Sequence, residues 1–583
     1  MQPPLRALLP TLAILSTLVG GGCALTPPVV PAAADQPAQQ DLEIRAGGAP
    51  AEPLQSADAR AQYHIMAGEM AAGRDQPQLA AREFLAALEI VDDVALAQRA
   101  TAFAVAARDE DLALTAAKRW QALEPDSADP REVIASLAVR RGDLTTTLEQ
   151  SRALIEGHPG GIGDGFLHVA QVLTQAGRER ADAALAVMQQ LVAQWPDNAG
   201  AHHGLGVLAL QFKRLDLAEA AAAKAQSLDP KDRDHTLLLI GIWAQQGRID
   251  EADAQLEKLL PKGKEAVELR MGYAKLLLEN SQRAAARRQL EQILKLDKQN
   301  VDAHYALGVL AFNEGDHETA TTHLQPLLDG PRASEAAMQL GRIAEARQDY
   351  VQALTYYARV AHGPATLDAA TRRALVLGRM NRLGDARNLL QNLRDRYPQF
   401  AVRFYLTEGE LLLNNGDNQA ALSLYSDALD DDRDNAELLY GRSLAYERIE
   451  RIDLAENDLR QVLSLEPDDA RALNALGYML VVHTQRLGEA ETVISRAIAL
   501  EPEDAAIIDS MGWLQYKLGR PEQALTWLKK AYAQLPDPEV AAHLGEVLWV
   551  LNDRDQAQVV WKAALRNDPE HPVLLETIKR LNP

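Results

Sequence analysis

The sequence predicts an all-α chain, a right-handed superhelical solenoid of about 12–15 repeated helix pairs with no separate catalytic domain. Three observations carry this. A pattern of small residues returns at fixed spacing from about residue 61 to the C-terminus. Prolines close successive units, with Pro467, Pro502, Pro536 and Pro569 lying 35, 34 and 33 residues apart. Aromatics make up only 5% of the chain while Ala, Leu, Glu, Arg and Gln abound, a composition that favours helix over sheet. At 583 residues the chain exceeds what one compact core serves. A repeat array escapes that ceiling, because each unit buries its apolar face only against its neighbours.

Residues 1–23 have the form of a secretory signal: one basic side chain, Arg6, an apolar run over 7–19, then Gly20-Gly21-Gly22-Cys23. They resemble the bacterial lipoprotein signal, in which small residues precede a cysteine that is lipidated and becomes the new N-terminus. The resemblance implies lipidation at Cys23, the chain's single cysteine, although Gly20 stands where that signal usually carries Leu. Ordinary cleavage after Ala24 is the alternative. A membrane-spanning helix is disfavoured, since the apolar run is short and interrupted by Pro10. Ala24 follows the cysteine where an Asp would resemble an inner-membrane retention signal, so the expected location is the outer membrane, facing the periplasm. Residues 24–60 read as a disordered Pro/Ala-rich tether with no helical period. As a flexible coil it would span on the order of 30 Å, and about 110 Å at full stretch.

The array follows over 61–583. Its clearest units are Leu205-Gly206, Ala218, Ala222, Ala225 and Pro230; Met511-Gly512, Gly519, Ala524, Leu528, Ala531 and Pro536; and Leu544-Gly545, Ala557, Trp561, Ala564 and Pro569. Gly308 with Gly315, Ala320 and Leu324, and Gly409 with Gly416, Ala421 and Tyr425, keep the same steps. The spacing has a mechanical reading. The first helix offers Gly where the second crosses, and the Ala twelve residues on is the matching small residue. Apolar residues at the next steps fill the face toward the following unit, and Pro ends the second helix. These residues resemble the tetratricopeptide repeat, over roughly 520 residues of the chain. The resemblance implies a protein-binding scaffold. Windows in 97–200 and 235–295 are degenerate, and the glycine-rich 157–165 is expected to be a long loop that breaks the regularity. Residues 573–581 are expected to form a capping helix.

Chemistry is sparse. The glycine-rich stretch near Gly160 lacks the Lys-Ser/Thr ending of a phosphate-binding loop. His202, His203 and His304 stand outside any metal-ligand spacing and are expected to be solvated or to line a groove. No metal, cofactor or catalytic residue is predicted, and the chain is not expected to be an enzyme. The formal charge of −22 repels nucleic acid and anionic surfaces and draws basic proteins. The same acidity also serves simply to keep a long array soluble. Positions flanking the first-helix glycines select Tyr305, Phe312, Tyr440, Tyr478, Trp513, Tyr516 and Trp549 as candidates to line a concave partner-binding groove. For Trp513 and Trp549, inter-helix packing is the competing role.

A narrower resemblance lies at the C-terminus, in Asp509-Ser510-Met511-Gly512-Trp513 and in 537–549, which includes Glu539, His543, Glu546 and Trp549. It is similar to Gram-negative outer-membrane tetratricopeptide lipoproteins, notably the LbcA-type adaptor of a carboxyl-terminal processing protease. The resemblance implies that the protein binds and activates such a periplasmic protease and presents peptidoglycan hydrolases to it, with basic cell-wall enzymes as clients. The alternative is an assembly scaffold for an envelope machine: polysaccharide export, a pilus secretin or outer-membrane biogenesis.

Overall fold

The computed structural model describes residues 56–261 and 263–581, so the signal segment, Cys23 and residues 24–55 of the tether lie outside the described residues. Among the described residues there are thirty-one α-helices and no strand: fifteen successive pairs and a final single helix. The chain divides into two compact units, Met1–Leu310 and Ala311–Pro583. Within each, with the exception of Ile162–Thr174, a first helix packs on its own second helix, and that on the first helix of the next pair. First helices of consecutive pairs also touch, as Ala470–His483 touches Ala505–Lys517.

Helix formation starts slightly earlier than expected. The helix Ala57–Gly73 absorbs residues 57–60, because Ser56 caps it by accepting the Ala59 N–H at 3.0 Å. At the other end Pro572–Leu581 forms the expected capping helix, with Leu574 fully buried against the preceding pair.

Nearly every pair turns on one residue in the left-handed region. These are Asp75, Arg108, Gly142, Gly177, Lys213, Gly247 and Ser281 in the first unit, and Gly315, Gln348, Asn381, Gly416, Glu450, Gly519 and Asn552 in the second. The turn after Ala470–His483 departs from the rule, with Thr484 extended at φ −136°. Except at Gly177, where ψ is 172°, the residue after the left-handed one otherwise sends its N–H back five positions. Asp109 donates to the Ala104 carbonyl at 3.1 Å, Arg214 to Ala209 at 2.8 Å, and Asp553 to Leu548 at 2.9 Å. This satisfies a helix-end carbonyl that would otherwise be orphaned. In several pairs the same residue then caps the second helix, as Asp553 accepts from the Gln556 N–H.

Seven residues before each left-handed residue lies the crossing point of the pair. Where it is Gly, a large side chain sixteen residues on fills the space a Cβ would need: Phe84 against Gly68, Tyr357 against Gly341, Tyr425 against Gly409, Leu528 against Gly512, and Trp561 against Gly545. The Ala at twelve residues is indeed buried, at Ala80, Ala524 and Ala557, but it is not what the glycine accommodates. Gly206 shows the other solution. Its residue at sixteen is Ala222, and an added Cβ would lie 3.4 Å from both Ala218 O and Ala222 N.

The degenerate windows are regular pairs except the one that follows the glycine-rich 157–165, where the regularity breaks as expected. There Ile162–Thr174 packs chiefly on the next first helix, Ala199–Gln211, and only lightly on Ala181–Val192, which the 3-10 turn Arg178–Arg180 precedes. The crossing positions of these windows hold Thr101, Ala135, Ala170, Ile240 and Ala274, all buried, in place of Gly. The expected loop over 157–165 is shorter than predicted, because Gly163 and Gly165 belong to the helix Ile162–Thr174. These glycines allow close approach. A Cβ on Gly165 would come within 2.7 Å of Ile155 Cα, and Gly163 lies against Gly200 of the next first helix.

Four substitutions test this geometry. Left-handed backbone costs an L-residue about 1–2 kcal/mol. Glu450→Gly and Gln348→Gly should therefore stabilise their turns by about 0.5–1 kcal/mol after the entropic cost of glycine. Asn552→Gly should gain less, since Asn tolerates the conformation. Gly545→Ala drives a methyl into the Trp561 ring and should destabilise the last pair by about 1–3 kcal/mol. Amide hydrogen exchange of the two flanking helices measures all four.

Candidate protein-binding surface

The second unit carries a wall built from the first helices of three consecutive pairs, Ala470–His483, Ala505–Lys517 and Pro538–Val550. Side chains three and four apart share a helix face, so Asp509, Trp513 and Tyr516 line up on one helix, and Glu539, His543 and Glu546 on the next. The two rows interlock. His543 Nδ1 lies 2.9 Å from Asp509 Oδ2, with both residues buried. The His543 ring stacks on Trp513 at 4.1 Å between centroids and 17° between planes. Tyr478, from the helix before, donates its hydroxyl to Glu539 at 2.5 Å, reaching across an entire pair. Tyr516 donates to Glu546 at 3.0 Å, and Arg580 of the capping helix holds the other oxygen of that carboxylate at 2.5 Å.

The charges of this wall are mutually set. Burial alone would push His543 toward neutrality, but the charge and hydrogen bond of Asp509, with Glu539 and Glu546, raise its pKa above the ordinary histidine value. Burial and the adjacent Glu546 push the Tyr516 hydroxyl up to about 12. Burial and Glu539 raise Tyr478 as well, so both phenols remain donors at neutral pH.

Of the seven predicted groove residues, the structure brings Tyr478, Trp513 and Tyr516 together in this wall. Trp513 does not offer its ring to a partner as expected. It is 7% exposed, covered by His543 and Tyr516 with the Lys517 ammonium 4.6 Å from its centroid, and it serves as packing. Trp549 is half-buried farther along Pro538–Val550, beside Trp561 and with Arg554 5.0 Å from its ring centre. Tyr440 is half-buried under the Arg471 guanidinium at 5.4 Å, and burial raises its pKa. Phe312 stacks on His317 at 6.0 Å with Arg342 over its ring. Tyr305 is half-buried in the helix Val301–Asn313, within the first unit. Tyr478, Tyr516, Tyr440, Phe312, Tyr305 and Trp549 thus keep partial exposure, while Asp509, Glu539, His543, Glu546 and Arg580 were not singled out as site residues. The separation of 34 residues between Asp509 and His543, one repeat, is the signal that identifies the pair.

The first unit holds a counterpart. His203, expected to be solvated or groove-lining, is 3% exposed, and its Nδ1 meets Nδ1 of His235 at 2.9 Å. The two residues lie 32 apart, again about one repeat. Burial, then the neighbouring His235, lower the His203 pKa to about 4. His202 and His304 instead bond the carbonyls of Pro196 and Lys298 at 2.8 and 3.1 Å, in the loops before their helices.

Stacked antiparallel helix pairs turning every 33 to 36 residues on a left-handed position define a scaffold of the tetratricopeptide-repeat class. The comparisons agree. The tetratricopeptide-repeat profile matches residues 169–233, 273–328, 371–436, 406–459 and 440–506. A TPR repeat-containing protein of Pseudomonas aeruginosa is 30% identical over 588 aligned residues, covering 98% of this chain and 96% of that protein. The chain belongs to this family of tetratricopeptide-repeat proteins. Among solved structures, a thermophilic TPR protein of Thermus thermophilus is 23% identical and covers 31% of this chain and 97% of its own, with a TM-score of 0.28. A tetratricopeptide repeat protein of Parabacteroides merdae is 18% identical over 42% of this chain and 97% of its own, with a TM-score of 0.34.

The two buried histidine sites should respond to pH in opposite directions. His203 has a lowered folded pKa, so its contribution is complete above about 6.5 and is lost as pH falls from there toward about 4. The loss amounts to about 2–4 kcal/mol. His543 has a raised folded pKa, so its contribution is complete below about 6.5 and is lost as pH rises through the raised value. Hydrogen exchange between pH 4.5 and about 8.5, corrected for intrinsic exchange rates, should show Ala199–Gln211 loosening on acidification and Pro538–Val550 on alkalinisation. His203→Gln with His235→Gln should flatten the first response and leave the second intact.

Proposed function

We propose that the protein is a lipid-anchored, outer-membrane adaptor of the periplasm that binds and activates a carboxyl-terminal processing protease and delivers peptidoglycan hydrolases to it. Catalysis belongs to the partner. The observation that carries this reading is the C-terminal wall. The residues that resemble the LbcA-type adaptor, in 509–513 and 537–549, fold into one interlocked surface, edged by the partly exposed rings of Tyr478, Tyr516 and Trp549. Tyr440 and Phe312 of the second unit, and Tyr305 of the first, are aromatic positions on earlier first helices. A rigid wall with amphipathic rings at its edge suits a helix or peptide of a partner.

The anchor supplies the second part of the mechanism. Lipid at Cys23 and a tether over 24–55 would hold both partners near one membrane, and the encounter of protease with substrate becomes effectively intramolecular. The net charge of −22 favours basic hydrolases as clients and raises their rate of encounter.

Reconstitution tests the proposal. Purified protein, the processing protease of the same organism and a basic peptidoglycan hydrolase should together give at least tenfold faster hydrolase cleavage than the protease alone. Tyr516→Ala with Trp549→Ala should remove most of that stimulation while leaving the helical circular dichroism unchanged. Cleavage indifferent to the protein would exclude the adaptor role. Acyl-chain labelling lost in Cys23→Ser, together with outer-membrane fractionation, tests the anchor separately.

A further inference from the structure

Residues 332–403 invert the charge of the chain. They contain twelve arginines, no lysine and six carboxylates, a local net charge of +6 in a chain of −22. The carboxylates are already engaged within the stretch. Glu345 takes Arg379 and Arg372, Asp368 takes Arg372 and Arg403, Asp385 takes Arg382, and Glu335 takes Arg332. Asp349 caps a helix through the Gln352 N–H, and Asp395 accepts from Gln391. Arg373 and Arg396 meet no carboxylate among the described residues, and the Arg373 Nε is buried without a partner.

Both of these arginines line one cleft of about 240 Å³. Its origin is a shortened second helix. Tyr350–Ala358 has 9 residues where Leu383–Arg396 has 14, a deficit of about 7.5 Å of helix length. The chain then turns through Gly363, at φ 87°, and Pro364 before re-entering helix at Thr366. The space left beside the next second helix has an apolar floor of Val360, Leu367 and Leu393, with Arg373, Arg396 and Asn392 at its margin.

We infer that this cleft is a docking site for an acidic peptide segment of a partner protein, a carboxylate resting on Arg373 and Arg396 and a neighbouring apolar side chain filling the floor. Guanidinium groups recognise carboxylates in a bidentate manner, and an unneutralised pair bordering an apolar floor selects an acid next to a Leu-like residue. The volume argues for a peptide. Sites for whole small molecules run to about 300–1,000 Å³, so this cleft takes one or two side chains and no more. The local field opposes that of the chain as a whole, so this stretch attracts partners that the rest repels. The inference goes beyond the adaptor reading and does not depend on which protease, if any, is bound.

The test uses the full chain and a dye-labelled Glu-Leu-Asp-Leu-Glu-Leu peptide, read by fluorescence anisotropy at about 50 mM salt, where charge contacts are weakly screened. Saturable binding is expected, at least tenfold weaker for the Lys-for-acid peptide and for the peptide with Ser in place of Leu. Arg373→Glu with Arg396→Glu should weaken binding at least tenfold, while Arg347→Glu, in the same basic stretch but outside the cleft, should leave it within about twofold. Should the double variant melt early, the exposed Arg396→Glu alone carries the comparison. Equal binding of the Ser peptide, or full competition by millimolar inorganic phosphate, would mark a bare anion site and overturn the inference. So would absence of binding by the acidic peptide, or binding untouched by the cleft variants.

Discussion

The left-handed residue at the turn of all but one of the described pairs sets the geometry on which the other contacts rest. It stops the first helix, turns the chain so that the i→i−5 hydrogen bond can close, and delivers the next residue to start the second helix. Counting seven residues back from it reaches the crossing point, and sixteen forward from there reaches the side chain that fills the crossing. A repeat of this kind has little freedom. Once the turn is placed, the small position, the filling residue and the contact with the next pair are fixed relative to it, and an insertion between them would move a large side chain off its hole. That the turn can be made by Arg108, Lys213, Gln348 or Glu450, none of which favours it, shows that packing of the two helices outweighs a local cost of about 1–2 kcal/mol.

The buried polar pairs follow from the same period. His203 with His235 and Asp509 with His543 join first helices of consecutive pairs, and Tyr478 with Glu539 spans one pair more. Such pairs contribute little net stability, because desolvation offsets most of their attraction. Their consequence is registry. An apolar first-helix interface tolerates sliding by a turn, whereas a slipped Asp509 would leave both itself and His543 buried and unpaired, at a cost of about 3–5 kcal/mol. The wall in the second unit is therefore a surface whose shape is held by charge as well as by packing, which is what a binding face on a long repeat array requires.

How much of this was legible depends on what each position tolerates. Gly at the crossing announces itself, so the windows at Gly206, Gly409, Gly512 and Gly545 could be read directly, as could the closing prolines. Thr101, Ala135, Ile240 and Ala274 occupy the same position invisibly, because any compact buried side chain serves when its partner is adjusted. The turns at Arg108 and Ser281 were silent for a related reason: their conformation is imposed by the fold and not preferred by the residue. Spacing places the predicted aromatic residues on first helices but cannot separate a ring at the edge of the wall from one inside it. Trp513 and Tyr516 are three residues apart, and only the stacking of His543 over Trp513 decides that one is packing and the other keeps a partly exposed face. The cleft at Arg373 had no sequence signature at all, since it arises from a helix that is five residues short.

A scaffold that holds two unlike partners must keep them from competing, and the charge distribution of this chain offers a means. An array that is acidic overall attracts basic proteins along most of its length. Residues 332–403, with their excess of arginine, interrupt that field over two helix pairs, and fields from exposed charges fade within about 10 Å at ordinary salt. Partners of opposite charge would thus sort to different stretches of one scaffold by local potential before any side chain is read. Shape then completes the selection: a walled aromatic edge in the last pairs, and a side-chain-sized cleft where Tyr350–Ala358 ends early. Sorting by field and selecting by shape act on different distances, so a change at one arginine of the cleft can abolish its contact while leaving encounter with the acidic remainder intact.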